Sequence, residues 1–252
     1  NPKYRKAFKP LVEKVSFSPF GDMEKLRETV NDQTAFVILE PIQGESGIHV
    51  APDGFLQDVR KLCDEKDILL IFDEIQAGLG RTGKMWAHQH WDTAPDILCL
   101  AKGIAGGVPM GATLVKSEIL DCISKGEHSS TFGGNPLSCA AGTATMQALT
   151  QDKLVENSAN MGKLFKEGLN KLKEKHPVIR EVRGKGLMIG IELKFEVRDI
   201  LMEGIEKGLL LLYSGRNILR LLPPLVITQE DVMKSLQILD ELFTNEEKRK
   251  NG

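Results

Sequence analysis

Ile71-Phe-Asp-Glu-Ile-Gln-Ala-Gly-Leu-Gly-Arg-Thr-Gly83, read together with Lys102, decides the fold. Ile68-Leu-Leu-Ile-Phe72 is a continuously apolar run of strand length, as expected for a strand covered on both faces, and Asp73 follows at its end. Asp96-Ile-Leu-Cys-Leu-Ala101 is a second such run, and Lys102 follows it. Ala35-Phe-Val-Ile-Leu39 and Ala112-Thr-Leu-Val115 supply two more strands. Pro52–Cys63 has apolar residues at helical spacing, and Asp22–Val30 also patterns as a helix. Strands alternating with helices in this way predict βαβ units and a mostly parallel sheet, an α/β fold.

The texture changes after Asn135. Pro136–Leu149 reads as a helix of small residues, and Asp152–Lys175 as a long amphipathic helix stopped by His176-Pro177. Short apolar segments follow around Val182, Leu187–Leu193, Gly208–Leu212 and Ile218–Leu222, with helices near Val197–Lys207 and over Gln229–Leu242. This predicts a partial large domain over residues 1–149 and a smaller α+β domain over 150–252. The first 20 residues, with Pro2, Pro10 and Pro19, read as an extended connector, and the charged tail Asn245–Gly252 as frayed.

The chain has 252 residues, 41% hydrophobic and 27% charged, with 33 basic against 35 acidic side chains. That balance gives no reason to expect nucleic acid or an anionic membrane as a partner. No apolar run reaches the roughly 20 residues of a membrane helix. Cys63, Cys99, Cys122 and Cys139 have no CxxC spacing and read as reduced thiols of a cytoplasmic protein.

Parallel sheets bind ligands beyond the carboxyl ends of their strands, and right-handed crossovers put those ends on one edge. Asp73, Lys102 and Glu45 of Pro41-Ile-Gln-Gly-Glu45 therefore share an edge. A carboxylate and a lysine suit a cofactor with a basic ring nitrogen and an aldehyde, which describes pyridoxal phosphate. A nucleotide site competes with it. The strand before Asp73-Glu74 looks like a Walker B strand, and Gly78–Lys84 matches the first seven positions of a P-loop. However, Met85 stands where a Ser or Thr is needed, and the loop follows its strand rather than preceding it. Alternatively, Asp73-Glu74 is a plain strand-end acidic pair and Lys102 a surface lysine. His88 and His90 have no third partner nearby and read as non-ligands, so no metal is expected.

Several segments in order favour the cofactor. Leu39-Glu-Pro-Ile-Gln-Gly-Glu-Ser-Gly47, Phe72–Gly83, Pro95–Gly103, His128-Ser-Ser-Thr-Phe-Gly-Gly-Asn-Pro136 and Leu219–Ile227 make the chain resemble the class III, fold-type I, pyridoxal-phosphate aminotransferases. The resemblance is greatest to the acetylornithine and aminoadipate-semialdehyde group. It implies that Lys102 forms the Schiff base with the cofactor and shuttles a proton. It implies that Asp73 holds the ring nitrogen protonated and Gln76 bonds the ring's phenolic oxygen, with Glu74 and Ile75 in the same cofactor-binding segment. Thr131 would bind the cofactor phosphate from the partner subunit of a homodimer with shared sites. Ser130 lies where the family contacts substrate. Arg220 would grip the substrate α-carboxylate, and Glu45 would pair with Arg220 when the substrate lacks that group.

The implied reaction is ping-pong amino transfer between an N-blocked basic amino acid and 2-oxoglutarate. The donor would be N-acetylornithine or a lysine or ornithine linked to an amino-acid carrier protein, in arginine or lysine biosynthesis. Ornithine or 4-aminobutyrate ω-transamination is the alternative. A further one, of another class, is an incomplete fragment serving only as a structural or dimerisation piece. Family members are longer at the N-terminus, where they supply the phosphate cradle, the ring-stacking aromatic and an arginine for the distal carboxylate. This chain alone is therefore expected to bind the cofactor weakly.

Overall fold

The computed structural model describes residues 5–251. Of the connector expected over the first 20 residues, residues 1–4 lie outside the described residues, and the rest carries a short 3-10 turn at Lys6–Phe8 and is otherwise largely irregular. Helix α1 (Met23–Thr29) starts at Asp22, whose carboxylate accepts the Lys25 N–H at 2.9 Å and so caps an otherwise orphaned donor. Strand β1 (Phe36–Leu39) leads into a small hairpin, β2 (Ile42–Gln43) and β3 (His49–Val50). Helix α2 (Phe55–Lys66) buries Phe55, Leu56, Val59, Leu62 and Cys63 along one stripe.

Strands β4 (Leu69–Asp73), β5 (Ile97–Leu100) and β6 (Ala112–Val115) complete a sheet of order β1-β4-β5-β6. The β1–β4 and β4–β5 pairs are parallel, and β6 returns antiparallel to β5. Asp73 is the last residue of β4, not the first beyond it, because it pairs with Cys99 of β5.

Helix α3 (Ser117–Leu120) opens an exposed loop that ends at Asn135. There the Asn135 side chain accepts the Ser138 N–H at 3.0 Å, and Pro136 occupies the first helical position of α4 (Pro136–Gln151). Helix α5 (Leu154–Lys175) follows and stops before Pro177.

The C-terminal part is an antiparallel sheet with helices on it. Strands β7 (Ile179–Lys185) and β8 (Met188–Leu193), helix α6 (Arg198–Glu206), and strands β9 (Leu212–Ser214) and β10 (Ile218–Leu221) give the order β7-β8-β10-β9. Of the apolar segment Gly208–Leu212, the residues before Leu212 are irregular. Leu210 stands out in solvent, and pairing with β10 begins only at Leu212.

The last helix, α7 (Gln229–Asn251), runs well past Leu242, so the tail expected to be frayed is helical as far as Asn251, while Gly252 lies outside the described residues. Phe243 and Glu246 are buried, Asn245 and Arg249 both donate to Glu203 of α6, and Glu247 meets His176 at 3.1 Å. His176 also meets Asp240 at 2.6 Å, which fastens the end of α5 to α7.

Two apolar clusters result. One joins α2 to the first sheet through Leu56, Val59, Leu70 and Phe72. The other joins α5 and α7 to the second sheet through Phe165, Leu169, Ile189, Ile191, Leu239 and Phe243. Each fully buried side chain of this size contributes about 1.5–3 kcal/mol.

The near-P-loop forms the seam between the clusters. Arg81 is held inside, donating to Pro223 O at 2.5 Å and Leu187 O at 3.3 Å, while its own carbonyl accepts Leu187 N–H and the Ser158 hydroxyl at 3.0 Å. Burial pulls its guanidinium down to about 10, so it remains charged at neutral pH. Gly186, with φ +52°, lies so close that a Cβ there would sit 2.3 Å from Thr82 C. The glycines thus serve backbone packing, with Thr82 only 1% exposed, and form no phosphate-binding cradle.

Candidate active site

Three adjacent parallel strands end together, and each delivers a charged residue. Glu40 follows β1, Asp73 ends β4, and Lys102 begins the 3-10 turn Lys102–Ala105 that follows β5. Lys102 has φ +50°, a left-handed conformation uncommon for a side chain of this size and typical of functional positions. Its side chain is exposed, and no described residue bonds or ion-pairs its Nζ. Asp73 Oδ1 accepts the Ile75 N–H at 3.0 Å, and its other oxygen accepts no hydrogen bond from the described residues.

Glu40 joins this group although sequence reasoning gave it no role. Its Oε2 accepts the Gly44 N–H at 2.9 Å. Burial raises its carboxyl above the usual carboxylate range. The Gly44 bond and the Lys102 charge work against that rise, and the charges of Asp73 and Glu45 add to it. The signal was available, since Glu40 is an acid at a strand end on the edge already picked out for Asp73.

A second group faces the same edge from the C-terminal sheet. Arg220 of β10, 8% exposed, donates from Nη1 to Glu45 Oε1 at 2.8 Å and to Gly44 O at 3.2 Å. Gln76 Nε2 donates to the same Glu45 oxygen at 2.9 Å. The Arg220 bond, followed by the Gln76 bond, holds the Glu45 carboxyl below its ordinary range despite partial desolvation. Lys102 acts on both Glu40 and Glu45, which ties the two groups into one electrostatic neighbourhood.

Not every expected residue converges. Glu74 is fully buried and turned away. Its carboxylate accepts Ala87 N–H at 2.6 Å and His88 N–H at 2.8 Å, and also meets His88 Nδ1 at 2.8 Å. It caps the turn Ala87–His90 and leaves no side-chain oxygen for a ligand. Ile75 contributes its N–H to Asp73. Ser130 and Thr131 lie in the exposed loop after α3. Ser130 Oγ accepts the Gly133 N–H at 3.0 Å, and neither residue bonds Asp73, Lys102 or Arg220 among the described residues.

The donor set fits pyridoxal phosphate. It has an open carboxylate oxygen on Asp73, an unpaired amine on Lys102, and a Gln76 amide with only one of its hydrogens committed. Among the described residues, no group of three or more metal-ligating side chains gathers, and no helix is long and apolar enough to cross a membrane.

Comparison with known proteins identifies the family of the chain. The family model described as Aminotransferase class-III matches residues 1–243. An acetylornithine aminotransferase of Caldanaerobacter subterraneus is 46% identical over 96% of this chain and 62% of its own length. An ornithine aminotransferase 1 of Staphylococcus saprophyticus is 42% identical over 95% of this chain and 61% of its own. The ornithine aminotransferase structure of Toxoplasma gondii, whose active site is described as partly occupied by pyridoxal phosphate, superposes with a TM-score of 0.95. It is 35% identical, covering 99% of this chain and 60% of that one. The chain therefore spans about three-fifths of the relatives it matches. With a family match across almost its whole length, this chain belongs to the class III aminotransferases, a family of pyridoxal-phosphate enzymes.

Proposed function

We propose that this chain carries the lysine-bearing part of an aminotransferase that passes an amino group between an N-blocked basic amino acid and 2-oxoglutarate. The donor is N-acetylornithine, or a lysine or ornithine held on a carrier protein, as in arginine or lysine biosynthesis. The observation that carries this reading is the 2.8 Å bond between Arg220 and Glu45 beside Asp73 and Lys102. An arginine so covered suits an enzyme whose two substrates differ in whether they bring a carboxylate to that position.

Pyridoxal phosphate, when bound, supplies an electron-accepting ring and an aldehyde carbon. The residues divide the remaining work. Asp73 would hold a proton at the ring nitrogen with its open oxygen. Lys102 Nζ would carry a proton to and from the substrate carbon. Arg220 would bind the α-carboxylate of glutamate or 2-oxoglutarate in a two-point grip. Glu45 would cover Arg220 when the substrate presents its ω-amine end. Gln76 would orient the ring oxygen. Thr131, in its exposed loop, is assigned to the phosphate of a neighbouring subunit's site, and Ser130 to substrate, in a homodimer.

The relative named ornithine aminotransferase supports a second reading, unblocked ornithine as donor. A donor screen on the full-length protein with 2-oxoglutarate separates the two. The first reading expects the highest kcat/KM for N-acetylornithine or a carrier-linked donor, and a preference for ornithine or 4-aminobutyrate overturns it.

A further inference from the structure

The turn that carries Glu45 lies between β2 and β3, and three of its carbonyls are taken by donors from the C-terminal sheet. Arg220 of β10 donates to Gly44 O at 3.2 Å, the Ser214 hydroxyl of β9 to Glu45 O, and Arg183 Nε of β7 to Gly47 O at 2.8 Å. The donors are themselves fixed. Ser214 is 3% exposed, and Arg183 Nη1 is braced by Glu181 at 2.5 Å and Glu192 at 2.8 Å. There is no slack at the end of the turn, where a Cβ on Gly47 would lie 2.5 Å from Ile218 Cδ1. The Glu45 side chain, by contrast, is 66% exposed. The backbone is pinned before, at and after Glu45, and its carboxylate alone has room to turn.

We infer that Ser214 and Arg183 are positioning residues that hold the Glu45 backbone so that its carboxylate returns in register onto Arg220. The clamp thereby sets how strongly Glu45 competes with an incoming α-carboxylate. This rests on the function proposed above. Loosening the clamp leaves Arg220 uncovered for more of the time. Substrates that need Arg220 then bind better, and donors that need it covered are handled worse.

Ser214→Ala removes one donor. Arg183→Lys removes the Nε donor while keeping a cation between Glu181 and Glu192. In cofactor-free full-length protein, Arg220 labelling by phenylglyoxal, followed by peptide mass spectrometry, should quicken about twofold to tenfold in each variant, the worth of one hydrogen bond. In the loaded protein, KM for glutamate should fall by a similar factor, while kcat/KM for the ω-amine donor falls as well. Unchanged labelling, or KM values for the two substrates that move together, overturns the clamp alone. An inactive wild-type protein overturns the proposed function and the clamp with it.

Discussion

Replacing Gly44 with alanine tests how tightly the Glu45 turn and the cofactor-facing amide are packed. Gly44 needs no left-handed backbone, so alanine brings no conformational strain there. Its Cβ would nevertheless lie 2.1 Å from Gln76 Oε1 and 2.6 Å from Gln76 Cδ. The amide must retreat by about 1 Å to regain ordinary contact. Gln76 is only partly buried and can move, so the cost in stability should stay below about 1 kcal/mol, a few degrees in melting temperature at most. The retreat breaks the 2.9 Å bond to Glu45 and withdraws the amide from the place assigned to the ring oxygen. A hydrogen bond from that amide to the ring oxygen is worth about 1.5 kcal/mol. Pyridoxal phosphate affinity of the full-length protein should therefore weaken roughly tenfold, read by absorbance titration. Unchanged affinity would show that Gln76 does not serve the cofactor. A melting temperature lowered by tens of degrees would show that the turn is a folding element first.

Two further substitutions probe the scaffold. Asp96, buried, accepts Leu70 N–H and Arg60 Nη1 at 2.7 Å and Lys116 Nζ at 2.6 Å. Desolvation pushes its carboxyl up, but these three bonds outweigh it and the group lies below its ordinary 3.8. The stability it contributes is therefore present above the unfolded value of about 3.9 and lost as pH falls through the lower folded value. Asp96→Asn should cost about 2–4 kcal/mol at pH 7 and remove that part of the acid sensitivity, and urea melts in which variant and wild type lose the same stability between pH 7 and a pH below 4 would contradict it. Gly186→Ala adds a Cβ 2.3 Å from Thr82 C at φ +52°, which should cost about 2–4 kcal/mol, or roughly 4–16 °C in calorimetry, and a wild-type melt would refute the backbone seam.

The sheet was legible because its strands are apolar runs with an acid or lysine at the end. The same feature located Asp73, Lys102 and Glu45, and Arg220 came from the resemblance. What stayed hidden depends on distant partners. Nothing local to Glu74 shows that its carboxylate will cap a turn starting at Ala87, and the residue is adjacent to Asp73 yet points the other way. Gly78–Lys84 resembles a P-loop because a glycine-rich stretch serves phosphate binding or close backbone packing equally well, and only its contacts with Gly186 and Pro223 decide. The tail looked frayed because its charges dominate. Its helix is held by Glu203 and His176, both remote in sequence. Glu40 was visible as a strand-end acid, but its surroundings depend on Gly44, Asp73 and Lys102 folding around it.

In the proposed function, Lys102 is the residue that meets the cofactor. Borohydride reduction of the full-length protein loaded with pyridoxal phosphate, followed by peptide mass spectrometry, tests it directly. The expected product is a phosphopyridoxyl group on Lys102, with no label in Lys102→Ala. A label on another lysine, or one undiminished in that variant, would contradict it.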